Sequence, residues 1–448
     1  MTIRKLVVLF FLIFSSCSKT NLNKPNILLI VSDDQGYYDV SYYGTKDIKT
    51  PNIDKICENG IRFDNFYANS PVCSPTRASL MTGLYPDFAG VPGVIRTFSN
   101  NNWGYLSQKA KLLPDQLNKL NYNTALIGKW HLGLKAPNTP NERGFKFFKG
   151  WLGDMMDDYW KHLRHGINYM RLNDQIIKPI GHATDLFTNW AIEYIKSNRD
   201  SETPFFLYLA YNAPHFPVQP PKSNLDIVKN REIGIDSIRA NLVAFIEHMD
   251  DGIGKVIQEL KDSGKYDNTV IIFTSDNGGH LPSKANNGPL RDGKQSVYEG
   301  GLKVPTVISW KDKLNKNGIS NMMLSTMDLY PTILEIAGSK KDYKIDGISF
   351  YSELINPKNN HKNNRTIYFT RREGGTRYGG QSIYALRKGD WKLLQNSPYD
   401  SYELYNLLND PLEKNNLINN EVEKYKELNS LLMKHIQIGG KVPWQDYK

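Results

Sequence analysis

The sequence has few cysteines and lacks several patterns that would assign it to a simple class. Three cysteines, at positions 17, 57 and 73, occur in 448 residues. So few exclude a disulfide framework, although one bridge between Cys57 and Cys73 stays open. The sequence also lacks internal repeats, arginine-rich runs and zinc-ligand spacings. These absences argue against a repeat protein and against the common nucleic-acid-binding modules.

Composition and charge are those of a globular chain with a basic surface. Hydrophobic residues make up 40% and charged residues 23%, and the formal net charge is +10. A length of 448 residues is enough for a large domain and a smaller one. A positive charge favours anionic partners through long-range attraction. In the absence of a nucleic-acid motif, a polyanionic glycan fits this charge.

The amino terminus has the pattern of a targeting segment. Two basic residues precede the apolar run 6–14, and Cys17 follows two serines. This pattern predicts a signal peptide over residues 1–16, since the run is too short to span a membrane as a mature helix. The residues before Cys17 resemble the lipobox of bacterial lipoproteins. We therefore expect lipidation at Cys17, a tether over 17–24 and a place on the cell envelope, with secretion as the alternative.

Apolar runs and amphipathic stretches alternate over the first three quarters of the chain. Continuous apolar runs of this kind are typical of strands buried on both faces of a parallel sheet. The predicted strands are 26–31, 124–128, 205–210 and 270–274, and the predicted helices between them include 113–120 and 237–260. The alternation predicts an α/β domain over residues 25–345, in which helices cover both faces of a large, mostly parallel sheet.

A second pattern begins near residue 346, where short apolar runs are separated by glycines. The predicted strands are 366–370, 382–386 and 391–394, and a helix is predicted over 422–438. Runs this short favour a small antiparallel sheet with one helix. The sequence therefore predicts a C-terminal α+β subdomain over residues 346–448.

Polar side chains follow each of the predicted parallel strands. They are Asp33 and Asp34, Lys129 and His131, His215, and Asp276 and Asn277. Ligands of open α/β sheets bind beyond the carboxyl ends of the strands, so we expect these residues to converge. The Asp and Asn side chains offer only oxygen ligands, which suit a hard cation such as Ca²⁺ or Mg²⁺.

The most specific segment runs from Cys73 to Gly83 and begins Cys-Ser-Pro-Thr-Arg. Proline can begin a helix, and a thiol at a helix amino terminus has its anionic form stabilised. The eleven residues resemble the signature of type I, formylglycine-dependent sulfatases of the alkaline phosphatase superfamily. Further family-like segments follow in order: GKWHLG at 128–133, APHFP at 213–217, SDNGG at 275–279, LRDGKQSVYEGGLKVP at 290–305 and DLYPTILEIAG at 328–338.

The resemblance implies a nucleophile and a set of site residues. It implies that a maturation enzyme oxidises Cys73 to Cα-formylglycine, whose hydrated form attacks sulfur as a gem-diol. It implies a Ca²⁺ ion, with Mg²⁺ as the weaker choice. The implied metal ligands are Asp33, Asp34, Asp276, Asn277 and residue 73; Lys129, His215 and Lys294 would bind sulfate, His131 would assist its release, and Arg77 would hold the diol.

Selectivity for a particular sulfate ester is expected outside this set of catalytic residues. We assign it to the insert 150–182 and to a predicted loop over residues 371–378. Arg371 and Arg377 in that loop are expected to bind a uronate carboxylate or a second sulfate of the substrate. An exported enzyme with a basic surface favours sulfated polysaccharides, such as the algal glycans ulvan and carrageenan or a glycosaminoglycan.

Two alternatives from other classes remain open at this stage. A formylglycine-dependent phosphodiesterase or phosphonate monoester hydrolase would share the nucleophile and the oxygen ligands. An inactive glycan-binding module would share the fold but would need Cys73 to stay unconverted. Activity on phosphodiesters would support the first alternative, and loss of maturation would support the second.

Overall fold

The computed structural model of the protein describes residues 24–339, 344–356, 365–374 and 382–444. The predicted signal peptide, the lipidation site Cys17 and Arg377 lie outside the described residues. Within the described ranges, none of the helices combines the length and the apolar character needed to cross a membrane.

The described chain forms eighteen strands and ten α-helices, besides five short 3-10 turns. The strands are β1 (Asn26–Ser32), β2 (Gly60–Phe63), β3 (Phe66–Tyr67), β4 (Asn123–Lys129), β5 (Phe147–Trp151), β6 (Leu163–Arg164), β7 (Ile167–Asn168), β8 (Met170–Leu172), β9 (Gln175–Ile176), β10 (Phe205–Ala210), β11 (Thr269–Ser275), β12 (Val307–Trp310), β13 (Gly318–Ser320), β14 (Leu324–Ser325), β15 (Thr366–Arg372), β16 (Ser382–Lys388), β17 (Trp391–Gln395) and β18 (Glu403–Asn406). The helices are α1 (Pro51–Glu58), α2 (Cys73–Thr82), α3 (Leu113–Lys119), α4 (Ala183–Ser197), α5 (Lys222–Arg231), α6 (Ser237–Asp262), α7 (Glu299–Leu302), α8 (Leu329–Ile336), α9 (Tyr351–Ile355) and α10 (Val422–Gly439).

Ten strands make one large sheet in the order β13-β2-β12-β11-β1-β10-β4-β5-β8-β9. The five central strands, from β11 to β5, are parallel. Strands β12, β2, β8 and β9 extend the two edges through antiparallel pairings. The predicted α/β fold is confirmed, and the mostly parallel sheet is parallel at its centre and mixed towards its edges.

The register of the central strands places their carboxyl ends at one level. Val31 of β1 lies opposite Ala210 of β10 and Thr274 of β11, and Ala210 lies opposite Gly128 of β4. All seven residues of β1 are buried, because helices cover both faces of the sheet. Helix α6 packs against α1, α4 and α5, while α8 packs against α2, α3 and α9. The loops after four strands therefore meet at the same edge of the sheet.

Strands β15 to β18 form a separate antiparallel sheet, as predicted for the C-terminal region. Helix α10 covers this sheet through a leucine cluster that includes Leu393 of β17 and Leu428 of the helix. Strand β15 continues to Arg372, two residues beyond the predicted strand, so the assignment of Arg371 to a loop is wrong. The extension occurs because both residues complete antiparallel pairs with β16, where Arg371 lies opposite Ile383.

Candidate active site

The acidic residues after β1 and β11 lie within hydrogen-bond distance of one another. Asp34 has a left-handed backbone, with φ of 67°, which turns the chain back over the end of the strand. Its N–H donates to Asp276 Oδ1 at 3.3 Å, and the Asn277 amide donates to Asp34 Oδ1 at 2.9 Å. Asp33, Asp34, Asp276 and Asn277 are all buried. The predicted convergence of strand ends is present.

Cys73 is the first residue of α2 and points at these carboxylates. Its Sγ lies 3.4 Å from Asp33 Oδ1 and 3.9 Å from Asp34 Oδ1. Burial, together with the Asp276 carboxylate, raises the pKa of the Cys73 thiol well above its ordinary value. Burial and the neighbouring carboxylate thus act against the stabilisation of the thiolate that is expected from the helix amino terminus.

Three cations whose side chains are at most 7% exposed face the three aspartates. Arg77, one turn along α2, donates from Nε to Asp276 Oδ2 at 2.9 Å. Lys129 Nζ lies 2.5 Å from Asp33 Oδ2, and Lys294 Nζ lies 2.6 Å from Asp34 Oδ2. Because each buried charge has an opposite partner, the cluster avoids the penalty of an isolated ion in the interior.

The carboxylates differ in the ease with which they accept a proton. Although burial opposes it, His215 and Lys294 hold the pKa of Asp34 below its usual range. Burial and the neighbouring Asp33 raise the pKa of Asp276 to about 6, despite the contact with Arg77. Asp34 is thus a fixed anion, whereas Asp276 is the carboxylate suited to exchanging a proton near neutral pH.

Two histidines complete the cluster, and each has one ring nitrogen tied to a backbone carbonyl. His131 Nε2 lies 2.8 Å from the Ile95 carbonyl, so Nε2 carries the proton and Nδ1 is a free base. Nδ1 is buried and has no hydrogen-bond partner among the described residues. His215 Nδ1 lies 2.6 Å from the Phe216 carbonyl, and its Nε2 lies 3.5 Å from Asp34 Oδ2. Burial lowers the pKa of both rings, that of His215 to about 3.

The donor set fits a hard cation. Ligand atoms of Asp33, Asp34, Cys73 and His215 lie within 4.8 Å of one another. Asn277 Oδ1 is buried without a hydrogen-bond partner in the described chain, as expected of an amide oxygen reserved for an ion. The Asp276 carboxylate pairs with Arg77 through Oδ2, while its Oδ1 accepts a hydrogen bond from the Asp34 N–H. Carboxylate and amide oxygens are the ligands that Ca²⁺ and Mg²⁺ prefer.

Of the two arginines predicted to bind substrate in the C-terminal region, Arg371 lies in a different setting from the one predicted. The Arg371 side chain is 1% exposed and donates to Glu373 Oε1 at 3.0 Å and to the Gln295 carbonyl at 3.3 Å. Because it faces inwards from β15, we correct its role from an exposed substrate contact to a buried support for the residue after Lys294. Arg377 lies outside the described residues.

Several residues around the site carry no sequence signal. Ile95 holds His131 through its carbonyl, and its N–H donates to Ser74 Oγ at 3.1 Å, beside Cys73. Glu373 joins Arg371 to Arg96, whose Nη2 lies 2.5 Å from its Oε2. The Ile95 contacts use backbone atoms, and the Arg96–Glu373 contact joins residues 277 positions apart. Neither kind of contact produces a local motif.

Comparison with known proteins identifies the family. The family model described as Sulfatase matches residues 25–339, and a second, described as N-sulphoglucosamine sulphohydrolase, C-terminal, matches residues 292–439. This chain belongs to the sulfatase family. As a sulfatase, it is a sulfuric ester hydrolase, which confirms the resemblance read from the Cys73 segment.

Named relatives cover most of the sulfatase. It is 30% identical to N-acetylgalactosamine-6-sulfatase of Rattus norvegicus over 391 residues, which cover 82% of this chain and 71% of that protein. It is 30% identical to a sulfatase of Formosa agariphila, with 89% and 85% covered. Its fold matches the crystal structure of Ps i-CgsB in complex with k-i-k-neocarrahexaose, with a TM-score of 0.85, 33% identity and 95% of each chain covered.

Proposed function

We propose that this sulfatase hydrolyses sulfate esters of a sulfated polysaccharide or oligosaccharide, with formylglycine made from Cys73 as the nucleophile and Ca²⁺ as the cofactor. The observation that carries the proposal is the buried cluster itself. Cys73 Sγ stands 3.4 Å from Asp33, which in turn binds Lys129 Nζ at 2.5 Å. A buried cluster of paired charges is suited to an anionic ester and its developing charge.

Conversion of Cys73 follows from the chemistry that the thiol lacks. A buried thiol with a raised pKa is a poor nucleophile, and sulfuryl transfer to sulfur would leave an ester without an easy exit. The hydrated aldehyde supplies one hydroxyl for attack and a second through which sulfate is released. Asp276 is the group placed to take the first proton. His131 Nδ1, buried and unpartnered in the described chain, is the base for the second.

The metal would be held by Asp33, Asp34, Asp276 and Asn277 together with residue 73. A bound Ca²⁺ supplies Lewis-acid polarisation of a sulfate oxygen and offsets negative charge. Lys129, Lys294 and His215 then provide the remaining positive or hydrogen-bonding groups around the sulfate. His215 and Lys294 both stand beside Asp34, and we expect one of them to protonate the leaving alcohol. Mg²⁺ is the weaker choice because it demands stricter octahedral geometry.

A glycan substrate is supported by the relatives and by the charge. One relative is named for the 6-sulfate of N-acetylgalactosamine, and Ps i-CgsB was crystallised with a neocarrahexaose. The net charge of +10 favours a polyanionic substrate. We expect the protein to act on the cell envelope through a lipid on Cys17, or as a secreted enzyme, after maturation by a formylglycine-generating enzyme.

The experiment is a substrate panel with protein co-expressed with a formylglycine-generating enzyme. It contains ulvan, carrageenan, heparan and chondroitin oligosaccharides, an aryl sulfate and a phosphodiester, each with and without a calcium chelator. Release of sulfate from one glycan class, lost on chelation and restored by Ca²⁺, is the expected result. Hydrolysis of the phosphodiester alone would support the alternative hydrolase, and glycan binding without turnover by protein whose Cys73 stays unconverted would support an inactive module.

A further inference from the structure

A cavity of about 280 Å³ opens between the end of β15 and the segment that supports His131. Its walls include Pro92, Trp103, Arg372, Gly374 and Trp444. None of these residues belongs to the cluster around Cys73. The cavity combines aromatic surface with the Arg372 guanidinium and the Glu373 carboxylate, whose charge is paired with Arg371 and Arg96. Sites for small molecules combine apolar walls with few polar groups in this way.

The aromatic wall is built from two indole rings. Trp103 and Trp444 stack with centroids 5.4 Å apart and planes at 21°. Trp103 Nε1–H donates to Asn101 Oδ1 at 3.2 Å, which fixes the ring. Gly374 lies directly against the Trp103 ring, where an added Cβ would stand 2.5 Å from Cη2. The close approach leaves a rigid, flat apolar surface at the cavity, suited to the face of a pyranose ring.

The Arg372 guanidinium forms a long ion pair with Asp87 and keeps one donor, Nε, without an acceptor in the described chain. Its Nε is buried without a hydrogen-bond partner, and its Nη2 lies 3.8 Å from Asp87 Oδ2, beyond hydrogen-bond distance. The Asp87 carboxylate also faces His435 Nε2 at 3.4 Å, so its charge is shared. Buried donors without acceptors are costly, and a guanidinium matches the paired oxygens of a sulfate or carboxylate.

Two chain segments, the end of β15 and residues 92–95, run between the wall of the cavity and the sulfate site. Successive residues of a strand face opposite sides, so Arg371 reaches the carbonyl of Gln295, beside Lys294, while Arg372 faces the cavity. The Arg372 N–H donates to the Pro92 carbonyl at 2.8 Å, and Ile95, three residues along that segment, holds His131. Three residues of extended chain span roughly 10 Å at most, so the two sites are neighbours.

We propose that this cavity binds a second, anionic sugar unit of the glycan, next to the unit that loses its sulfate. The pyranose ring would lie on the Trp103–Trp444 surface, and its sulfate or carboxylate would accept hydrogen bonds from Arg372. The proposal rests on the proposed glycan sulfatase function. It also moves the second anion contact, first assigned to Arg371, to its neighbour in the strand.

The test compares substrates that differ in length. We expect Arg372→Gln to raise KM for sulfated oligosaccharides by roughly tenfold to a hundredfold, the range for a lost charge-assisted contact. Trp103→Ala should raise the same KM because the flat surface for the sugar ring is lost. Hydrolysis of an aryl sulfate or a monosaccharide sulfate should be unchanged. Tyr399→Ala and Arg199→Gln are matched controls, since Tyr399 is 83% exposed and Arg199 lies with Asn26 at the opposite end of β1.

A binding measurement separates this proposal from the proposed function. Calorimetry uses the Cys73→Ala protein with a sulfated tetrasaccharide and with the same tetrasaccharide desulfated at the second unit. Tighter binding of the doubly sulfated form, lost in the Arg372→Gln background, is expected. Equal KM values for wild type and both variants on oligosaccharides would overturn the cavity proposal and leave the function standing. If wild type cleaves no glycan, the function fails, and unaltered tetrasaccharide binding by Trp103→Ala would overturn the cavity proposal as well.

Discussion

Replacing Lys392 with methionine tests what holds the C-terminal sheet against the large domain. Lys392 of β17 lies 2.9 Å from Glu299 Oε1 in α7 and 2.8 Å from Glu413 Oε1. The Lys392 side chain is 0% exposed, and those of Glu299 and Glu413 are 5% and 0% exposed. Methionine preserves the length of the side chain but removes the charge. The variant therefore leaves the buried carboxylates of Glu299 and Glu413 without the lysine that paired with both.

The expected cost follows from that burial. Removing one partner of a buried ion pair destabilises a protein by about 3–5 kcal/mol, because the remaining charge stays in a low dielectric. Arg387, whose Nη1 lies 3.9 Å from Glu299 Oε2, recovers part of the loss. We therefore expect the free energy of unfolding to fall by about 3 kcal/mol at pH 7. Lys388→Met is the control, since its pair with Glu427 is about 40% exposed on both sides and is worth about 1 kcal/mol or less.

The pKa of Glu299 determines how the destabilisation by Lys392→Met changes with pH. Although burial opposes it, Lys392 and Arg387 lower the pKa of Glu299 to about 2 from an ordinary 4.5. In the wild type this stabilisation is present above pH 4.5 and is lost as the pH falls towards 2. Burial and the neighbouring Glu299 already raise the pKa of Glu413 in the wild type, although Lys392 opposes this. Without Lys392 the folded-state pKa of Glu299 should also exceed 4.5 and that of Glu413 should rise further, so both carboxyls penalise folding as the pH rises. The destabilisation by Lys392→Met should therefore shrink between pH 7 and pH 4.5.

Urea denaturation at pH 7 and pH 4.5, followed by tryptophan fluorescence, measures both effects. Because β15 belongs to this sheet, the variant should also lose activity on oligosaccharides before activity on an aryl sulfate. A loss below 1 kcal/mol at pH 7, or a loss independent of pH, would refute the reasoning about the buried network.

Two further predictions concern the active site. Lys294→Met should lower the rate of sulfate release about 10²–10³-fold, the usual loss for one electrostatic contact to a transition state, while the stabilisation by Ca²⁺ persists; an unchanged rate would contradict the sulfate-binding role. Chelation of Ca²⁺ should lower the melting temperature. Adding Ca²⁺ at 100 times its Kd should raise the free energy of unfolding by about 2.7 kcal/mol over that of the chelated protein. Asp33→Asn should reduce this shift, and a shift of the same size in wild type and variant would place the ion elsewhere.

The central strands could be predicted because parallel strands buried on both faces leave continuous apolar runs. The run 205–210 coincides with β10, and the run 26–31 differs from β1 by one residue. The short strands near the two edges, β8, β9 and β13, have no such runs, since they are partly or fully exposed and only two or three residues long. Their antiparallel pairings depend on neighbours that the local sequence does not specify.

The sequence predicted those site residues that stand within recognisable local motifs. Residues such as Asp33, Cys73 and His131 stand in specific segments, and the structure brings them together. The placement of Arg371 could not be predicted, because strand alternation decides which of two adjacent arginines is buried. The raised pKa of the Cys73 thiol could not be predicted from the sequence either, since it depends on burial and on Asp276, a residue 203 positions away in the chain.

The most direct test of the central claim is sulfate release measured together with the chemical state of residue 73. Protein co-expressed with a formylglycine-generating enzyme should carry an aldehyde at position 73, detected by peptide mass spectrometry. Turnover should rise in proportion to the converted fraction. Cys73→Ala should be inactive while it keeps the wild-type fold and the stabilisation by Ca²⁺. Retention of more than a few per cent of activity by Cys73→Ala, or full activity with an unconverted cysteine, would contradict the account.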